Sequence, residues 1–133
     1  MDELYRDYIL DHYKNPRNFG ELETHDLEWH DHNPLCGDEL GVHLIVDEEG
    51  RIAELRFHGQ GCAISQAAAS ISSEELIGMR VDEIPELSAD WVLDQLGIPV
   101  SPTRRKCALL SLKVMRGATG GDASWPVAAE RTA

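Results

Sequence analysis

Leu40-Gly41-Val42-His43-Leu44-Ile45-Val46-Asp47 and Arg51-Ile52-Ala53-Glu54-Leu55-Arg56-Phe57-His58, joined through Glu48-Glu49-Gly50, decide the fold. Val42, Leu44 and Val46 recur at every second position, and so do Ala53, Leu55 and Phe57. That is the period of strands with one buried face. Asp47 to Gly50 supplies the turn between them, with Gly50 free to take a positive φ. The stretch therefore predicts an antiparallel hairpin over 40–47 and 51–58.

Upstream, residues 27–33 read as extended, with Trp29 directed inward and His30 and His32 placed away from it. Residues 2–14 predict an amphipathic helix, since Leu4, Tyr5, Tyr8, Ile9, His12 and Tyr13 recur at helical spacing. Asp2 is its candidate N-cap, and Asn15-Pro16 ends it because a residue before proline disfavours helical angles. Asn18-Phe19-Gly20 reads as a turn.

Downstream, Gly59-Gln60-Gly61 leads to Cys62 and a helix over 63–77, with Ile64, Ala67, Ala68 and Ile71 inward. The small residues Ala67 to Ser70 would let it approach a sheet closely. A shorter helix is predicted over 88–96, capped by Ser88 and stopped by Gly97. After the extended link Ile98-Pro99-Val100-Ser101-Pro102, a last helix covers 103–116, with Cys107, Leu110, Ser111 and Val114 on one face. From Gly117 the composition turns to Gly, Ala, Ser, Thr and Pro, which predicts a domain over 1–116 and a disordered tail over 117–133. Helix, strands, then helices make an α+β fold, a small antiparallel sheet of about three strands packed by helices.

At 133 residues, 42% hydrophobic and a mean hydropathy of −0.33, the chain has the composition of an ordinary soluble domain. No apolar run approaches the roughly 20 residues of a membrane span. The acids and arginine of the first ten residues do not form a secretory signal, so a cytoplasmic location is expected. A net charge of −12 argues against nucleic acid as a partner. Yet Arg104, Arg105, Lys106, Lys113 and Arg116 share one acid-free segment, either a solvated helix face or a feature tied to Cys107 within it.

The three cysteines are an odd count for a reducing compartment, so they are either small buried hydrophobes or reactive and metal-bound thiols. Their positions favour the second. Cys36 lies in a turn before a strand, Cys62 at a helix start, and Cys107 in the first turn of the last helix behind three basic residues. Unpaired backbone N–H groups, the helix dipole and nearby cations favour anionic sulfur there. Asp38 is the nearest candidate for a fourth ligand, with His30, His32 and His58 as alternatives. Zinc accepts sulfur and carboxylate in tetrahedral sites, and thiolates hold iron–sulfur clusters. Spacings of 26 and 45 residues between the cysteines match no zinc knuckle.

Four segments carry a resemblance. They are Asp11-His12-Tyr13-Lys14-Asn15-Pro16-Arg17-Asn18-Phe19-Gly20, Asn33-Pro34-Leu35-Cys36-Gly37-Asp38, Phe57-His58-Gly59-Gln60-Gly61-Cys62-Ala63-Ile64-Ser65 and Arg104-Arg105-Lys106-Cys107-Ala108-Leu109-Leu110. In this order they resemble the NifU/IscU/SufU family of iron–sulfur cluster assembly proteins. The resemblance implies the same α+β fold, with Cys36, Asp38, Cys62 and Cys107 gathered as one site that holds zinc or a [2Fe–2S] cluster. It also implies sulfur arriving as persulfide from a pyridoxal-phosphate cysteine desulfurase, and onward delivery to a downstream scaffold or to apo iron–sulfur proteins. Lys106 stands where IscU-type members carry histidine, and Ile98-Pro99-Val100-Ser101-Pro102 does not match their chaperone motif. Both features point to the SufU branch, although the insertion usual there between the last two cysteines is lacking.

The expected activity is sulfur acceptance, either as a scaffold for [2Fe–2S] assembly or as a zinc-dependent sulfur relay. Cys107 is the expected acceptor, and Arg104, one helical turn before it, is expected to orient it or to pair with Asp38. A structural zinc-binding interaction module is the alternative. A cysteine–histidine hydrolase is disfavoured, because no cysteine is accompanied by an identifiable base and orienting group.

Overall fold

The hairpin forms where its alternation places it. In the computed structural model, which describes residues 3–35, 37–120 and 124–126 (for 3–5 the backbone alone), β1 (Leu27–Asn33), β2 (Asp38–Val46) and β3 (Ile52–Gln60) form one antiparallel sheet in the order β1-β2-β3. Leu40, Val42, Leu44, Leu55 and Phe57 point inward and are at most 2% exposed. One detail departs from the reading above. A register shift at Ile45/Val46 pairs Val46 with Ile52 and Ile45 with Glu54. Ile52 therefore takes the inward place expected of Ala53, which is exposed, and Val46 is left half-buried.

Among the described residues, four α-helices and one 3₁₀ turn complete the fold: α1 (Glu3–Lys14), α2 (Ala63–Leu76), the 3₁₀ turn (Val81–Glu86), α3 (Ala89–Leu96) and α4 (Arg105–Gly120). The 3₁₀ turn has no apolar periodicity and was not expected. Helices α2 and α4 form a middle layer. On one side Ala69, Leu110, Val114 and Met115 pack against the sheet. On the other, Ala67, Ala68, Ile71, Leu109 and Leu112 pack against Ile9 of α1 and Val92 and Leu96 of α3. The small residues of α2 are thus buried on both sides, which is why that helix needs no bulky stripe.

Helix α4 is likewise buried from Cys107 through Met115, rather than along one face as expected. Each fully buried leucine is worth about 1.5–3 kcal/mol, so packing holds this helix. It continues to Gly120, past the boundary expected at Arg116, and Trp125 of the expected tail is half-buried against both apolar clusters. The remaining tail positions, 121–123 and 127–133, lie outside the described residues, as does the expected cap Asp2.

On α1, Ile9 and His12 are buried, whereas Tyr8 and Tyr13 are exposed rather than inward. The helix meets α2, with His12 Nδ1 2.7 Å from Ser70 Oγ. The basic segment is not one solvated face. Arg104, Arg105 and Lys106 are exposed, but Lys113 is buried and paired with Asp31 of β1.

Gly117 shows how closely α4 approaches the sheet. A Cβ built there would stand 2.4 Å from Cε2 and Nε1 of Trp29. Replacing glycine by alanine inside a helix ordinarily stabilises it by up to about 1 kcal/mol. Here overpacking reverses the sign, and Gly117→Ala is expected to cost about 1–3 kcal/mol in urea unfolding. A variant as stable as the native chain would show that Trp29 can step aside.

Candidate metal centre

Three of the four expected site residues converge. Asp38 begins β2 and is 4% exposed, Cys62 is the N-cap of α2, and Cys107 is buried near the start of α4. One carboxylate oxygen and the two sulfurs lie within 4.8 Å of one another. The backbone makes this possible by close approach. A side chain at Gly61 would strike Ser65 Oγ at 2.3 Å and Asp38 Cγ at 3.0 Å, and one at Gly59 would strike the Glu39 carbonyl at 2.4 Å.

Asp38 organises its neighbour. Cys62 N–H donates to its Oδ1 at 2.9 Å, and the Cys62 thiol donates to its Oδ2 at 3.4 Å. A carboxylate beside a thiol in this way can accept the proton that the sulfur gives up on binding a cation. Cys62 also occupies a position where Ser, Thr, Asp or Asn would cap the helix, and its side chain makes no capping hydrogen bond. A capping side chain is typically worth about 1 kcal/mol, so the sequence forgoes stability to place sulfur there. An open cleft of about 460 Å³ borders the group, lined by Gly37, Asp38, Glu39, Gln60 and Gly61.

Cys36 lies outside the described residues, but the chain on both sides of it is fixed. Gly37 has φ +75°, the left-handed conformation glycine tolerates, and its N–H donates to the Asn33 carbonyl at 2.9 Å. Leu35 N–H donates to Asn33 Oδ1 at 3.1 Å, while the Leu35 side chain is 76% exposed. Asn33 Nδ2 in turn lies 3.9 Å from Cys107 Sγ. Asn33 was not among the expected site residues, although it stands three positions before Cys36 at the end of a strand. Arg104 is exposed and stands outside the Asp38–Cys62–Cys107 group. His30 and His32 are exposed on β1 and His58 joins a different cluster, so none of the three belongs to that group.

That second cluster lies between the sheet and the segment before β1. The rings of His25 and His43 stack at 3.8 Å with planes 8° apart, and His58 lies 4.7 Å from His43. Leu22 ties the stack down, its N–H donating to His43 Nδ1 at 3.1 Å and its carbonyl meeting His25 Nδ1 at 3.1 Å. Gly41 leaves room for His58, since a Cβ there would meet its Nε2 at 2.4 Å. Glu21 and Glu28 flank these rings at potential ligand distances. The Nε2 atoms of the stacked rings both approach one Glu28 carboxylate oxygen, at 3.5 Å from His25 and 3.8 Å from His43.

Burial, followed by the charges of His25 and His58, holds His43 below the ordinary histidine range, and burial followed by Arg17 does the same for His12. Both are neutral in the fold at a pH where the unfolded chain is already taking up protons. Stability is therefore complete above about pH 6.5 and falls as pH drops below it, by up to about 1.4 kcal/mol per pH unit for each such histidine. His43→Gln should lessen the loss in unfolding free energy between about pH 7.5 and 5.5. An unchanged loss would remove His43 from this account.

The family described as the NifU-like N-terminal domain matches residues 4–121. The chain is 30% identical over 118 residues to the iron–sulfur cluster assembly enzyme IscU of Drosophila melanogaster, covering 86% of this chain and 75% of that protein. It is 33% identical over 132 residues to the zinc-dependent sulfurtransferase SufU of Bacillus subtilis, covering 86% and 88%. The same share of this chain thus spans 132 positions against SufU and 118 against IscU, so SufU carries additional residues within the aligned stretch. Among solved structures, a SUF-system iron–sulfur cluster assembly scaffold candidate from Fervidobacterium islandicum AW-1 superposes with a TM-score of 0.75 at 26% identity, over 85% of this chain and 94% of that one.

Proposed function

Because the chain belongs to the NifU-like N-terminal domain family, we propose that it acts in iron–sulfur cluster assembly, with Cys36, Asp38, Cys62 and Cys107 as one metal and sulfur site. The observation that carries this reading is the meeting of Asp38, Cys62 and Cys107 from a strand start and two helix starts, within 4.8 Å. The donor set fits: two sulfurs and a carboxylate, with Cys36 as the fourth, suit zinc or the irons of a [2Fe–2S] cluster. Bound zinc would hold the sulfurs as thiolates and mask them until a partner docks. An assembled cluster would be cargo, built on the same ligands and passed to apo iron–sulfur proteins.

The chain's residues account for the sulfur step. Cys107, as a thiolate at the positive end of α4, attacks the outer sulfur of a persulfide on a cysteine desulfurase. The S–S bond of that persulfide breaks, a new one forms to Cys107, and the desulfurase cysteine leaves as thiolate. Exposed Arg104, Arg105 and Lys106 precede Cys107 directly and would draw the anionic persulfide in. Asp38 accepts hydrogen bonds from the Cys62 N–H and thiol, which keeps that sulfur beside the other ligands. With no additional residues of the SufU kind, the chain is closer in length to IscU over the matched region, which favours a scaffold role after sulfur is accepted.

The test is persulfide transfer. The zinc-loaded protein is incubated with its own desulfurase and cysteine, without iron, and added sulfur is located by mass spectrometry. Sulfur on Cys107 and faster desulfurase turnover, both lost in Cys107→Ser, are expected. Absence of sulfur on every cysteine together with unstimulated turnover would sink the mechanism and leave a structural zinc module.

A further inference from the structure

Asn33 ends β1 and is 1% exposed. A carboxamide so buried must satisfy both of its ends. Its oxygen is committed to Leu35 N–H at 3.1 Å, and its backbone carbonyl to Gly37 N–H at 2.9 Å. Asn33 thus holds Leu35 with its side chain and Gly37 with its backbone. Because the oxygen is taken by an N–H, the other end is the donor, and the amide cannot be flipped without losing that bond. This donor faces Cys107 Sγ at 3.9 Å, across 74 residues of sequence.

We propose that Asn33 is a positioning residue of the metal site, one carboxamide that holds Leu35 N–H with its oxygen and donates to the Cys107 sulfur with its nitrogen. The proposal rests on the reading of Cys36 and Cys107 as ligands. Anionic sulfur accepts a hydrogen bond more strongly than a neutral thiol does, so the contact tightens when Cys107 binds a metal. Hydrogen bonds behind a ligand orient it and tune its basicity, and their loss typically costs 10–100-fold in metal affinity. The two functions can be separated. Serine at position 33 can still accept from Leu35 N–H, as Ser does in turns, but is too short to reach Cys107.

The experiment compares native protein and Asn33→Ser, full-length, by chelator competition for zinc and by the near-ultraviolet sulfur-to-cobalt band after cobalt substitution. About tenfold weaker zinc binding is expected, with the cobalt band moved to longer wavelength, since sulfur freed of a donor gives up electron density more readily. In a Cys107→Ser background the same substitution should change zinc affinity by less than about threefold. An unmoved cobalt band, or an equal loss in both backgrounds, would overturn the proposal by reducing Asn33 to a turn residue. Should Asn33→Ser not fold, native protein loaded with a spin-active cadmium isotope decides. Coupling from the Asn33 amide proton to cadmium through sulfur supports the contact, and its absence overturns it. A native chain that binds neither zinc nor cobalt overturns the underlying site as well, whereas normal native binding with an unmoved variant band overturns only the role of Asn33.

Discussion

Lys113→Met is expected to lower the unfolding free energy by about 3–5 kcal/mol, because it strands a mostly buried carboxylate. The side chains of Lys113 and Asp31 are only 10% and 16% exposed. Burial raises the Asp31 carboxyl, but the hydrogen bond from Lys113 leads the groups that together bring it below the ordinary value. In the native protein this pair contributes stability above about pH 3.8 that is lost as pH falls through the lowered value. Without the ammonium, Asp31 protonates more readily in the fold, so the deficit of the variant should shrink with acidity. Methionine keeps the apolar stem of lysine in place, which isolates the charge. Trp125, 5.1 Å from this ammonium, would lose one cation and keep that of Lys106 at 5.3 Å. Urea unfolding at neutral pH and near pH 4 measures both effects. Restoring most of the loss with Asp31→Leu would locate it in the stranded charge, and a loss below about 1 kcal/mol would mean that water reaches Asp31.

For Cys62→Ser the expected result has two sides. Zinc affinity should fall by about 10²–10³-fold, the share of one ligand in a site worth about 10–16 kcal/mol. The metal-free protein should be no less stable, and a few tenths of a kcal/mol more stable where the serine hydroxyl caps α2. Chelator competition and thermal unfolding without metal read the two sides separately. Unchanged zinc affinity would exclude Cys62 as a ligand. A large loss of metal-free stability would instead identify Cys62 as a packing residue.

The hairpin, the small-residue helix and the ends that carry Asp38, Cys62 and Cys107 were legible in the sequence because each is a local matter, decided by period, cap or turn chemistry. What escaped depends on partners distant in the chain. The Lys113–Asp31 pair spans 82 residues, and nothing in an acid-free helix announces that one of its lysines is buried. Asn33 reads as the last polar residue of a strand until Cys107 is placed beside it. The histidines of 25, 43 and 58 belong to three separate segments, and their stacking follows from strand register. Even the burial of α4 on both sides is a property of the layer it occupies, invisible in a helix whose residues include Lys113 and Ser111.

The sheet has three strands and therefore two outer edges, which differ in what they offer a neighbouring molecule. At β3 the chain doubles back, with Phe57 N–H bonded to the Asn18 carbonyl and Gly20 N–H to the Phe57 carbonyl. Among the described residues no strand pairs with the outer side of β1. Along it Glu28, His30 and His32 are exposed, Leu27, Trp29 and Asp31 are half-buried, and Asn33 is buried. Exposed polar and ionisable side chains along an edge, here Glu28, His30 and His32, are a common safeguard against unwanted strand addition. The two edges are thus protected differently, β3 by a covering length of chain and β1 by exposed polar side chains.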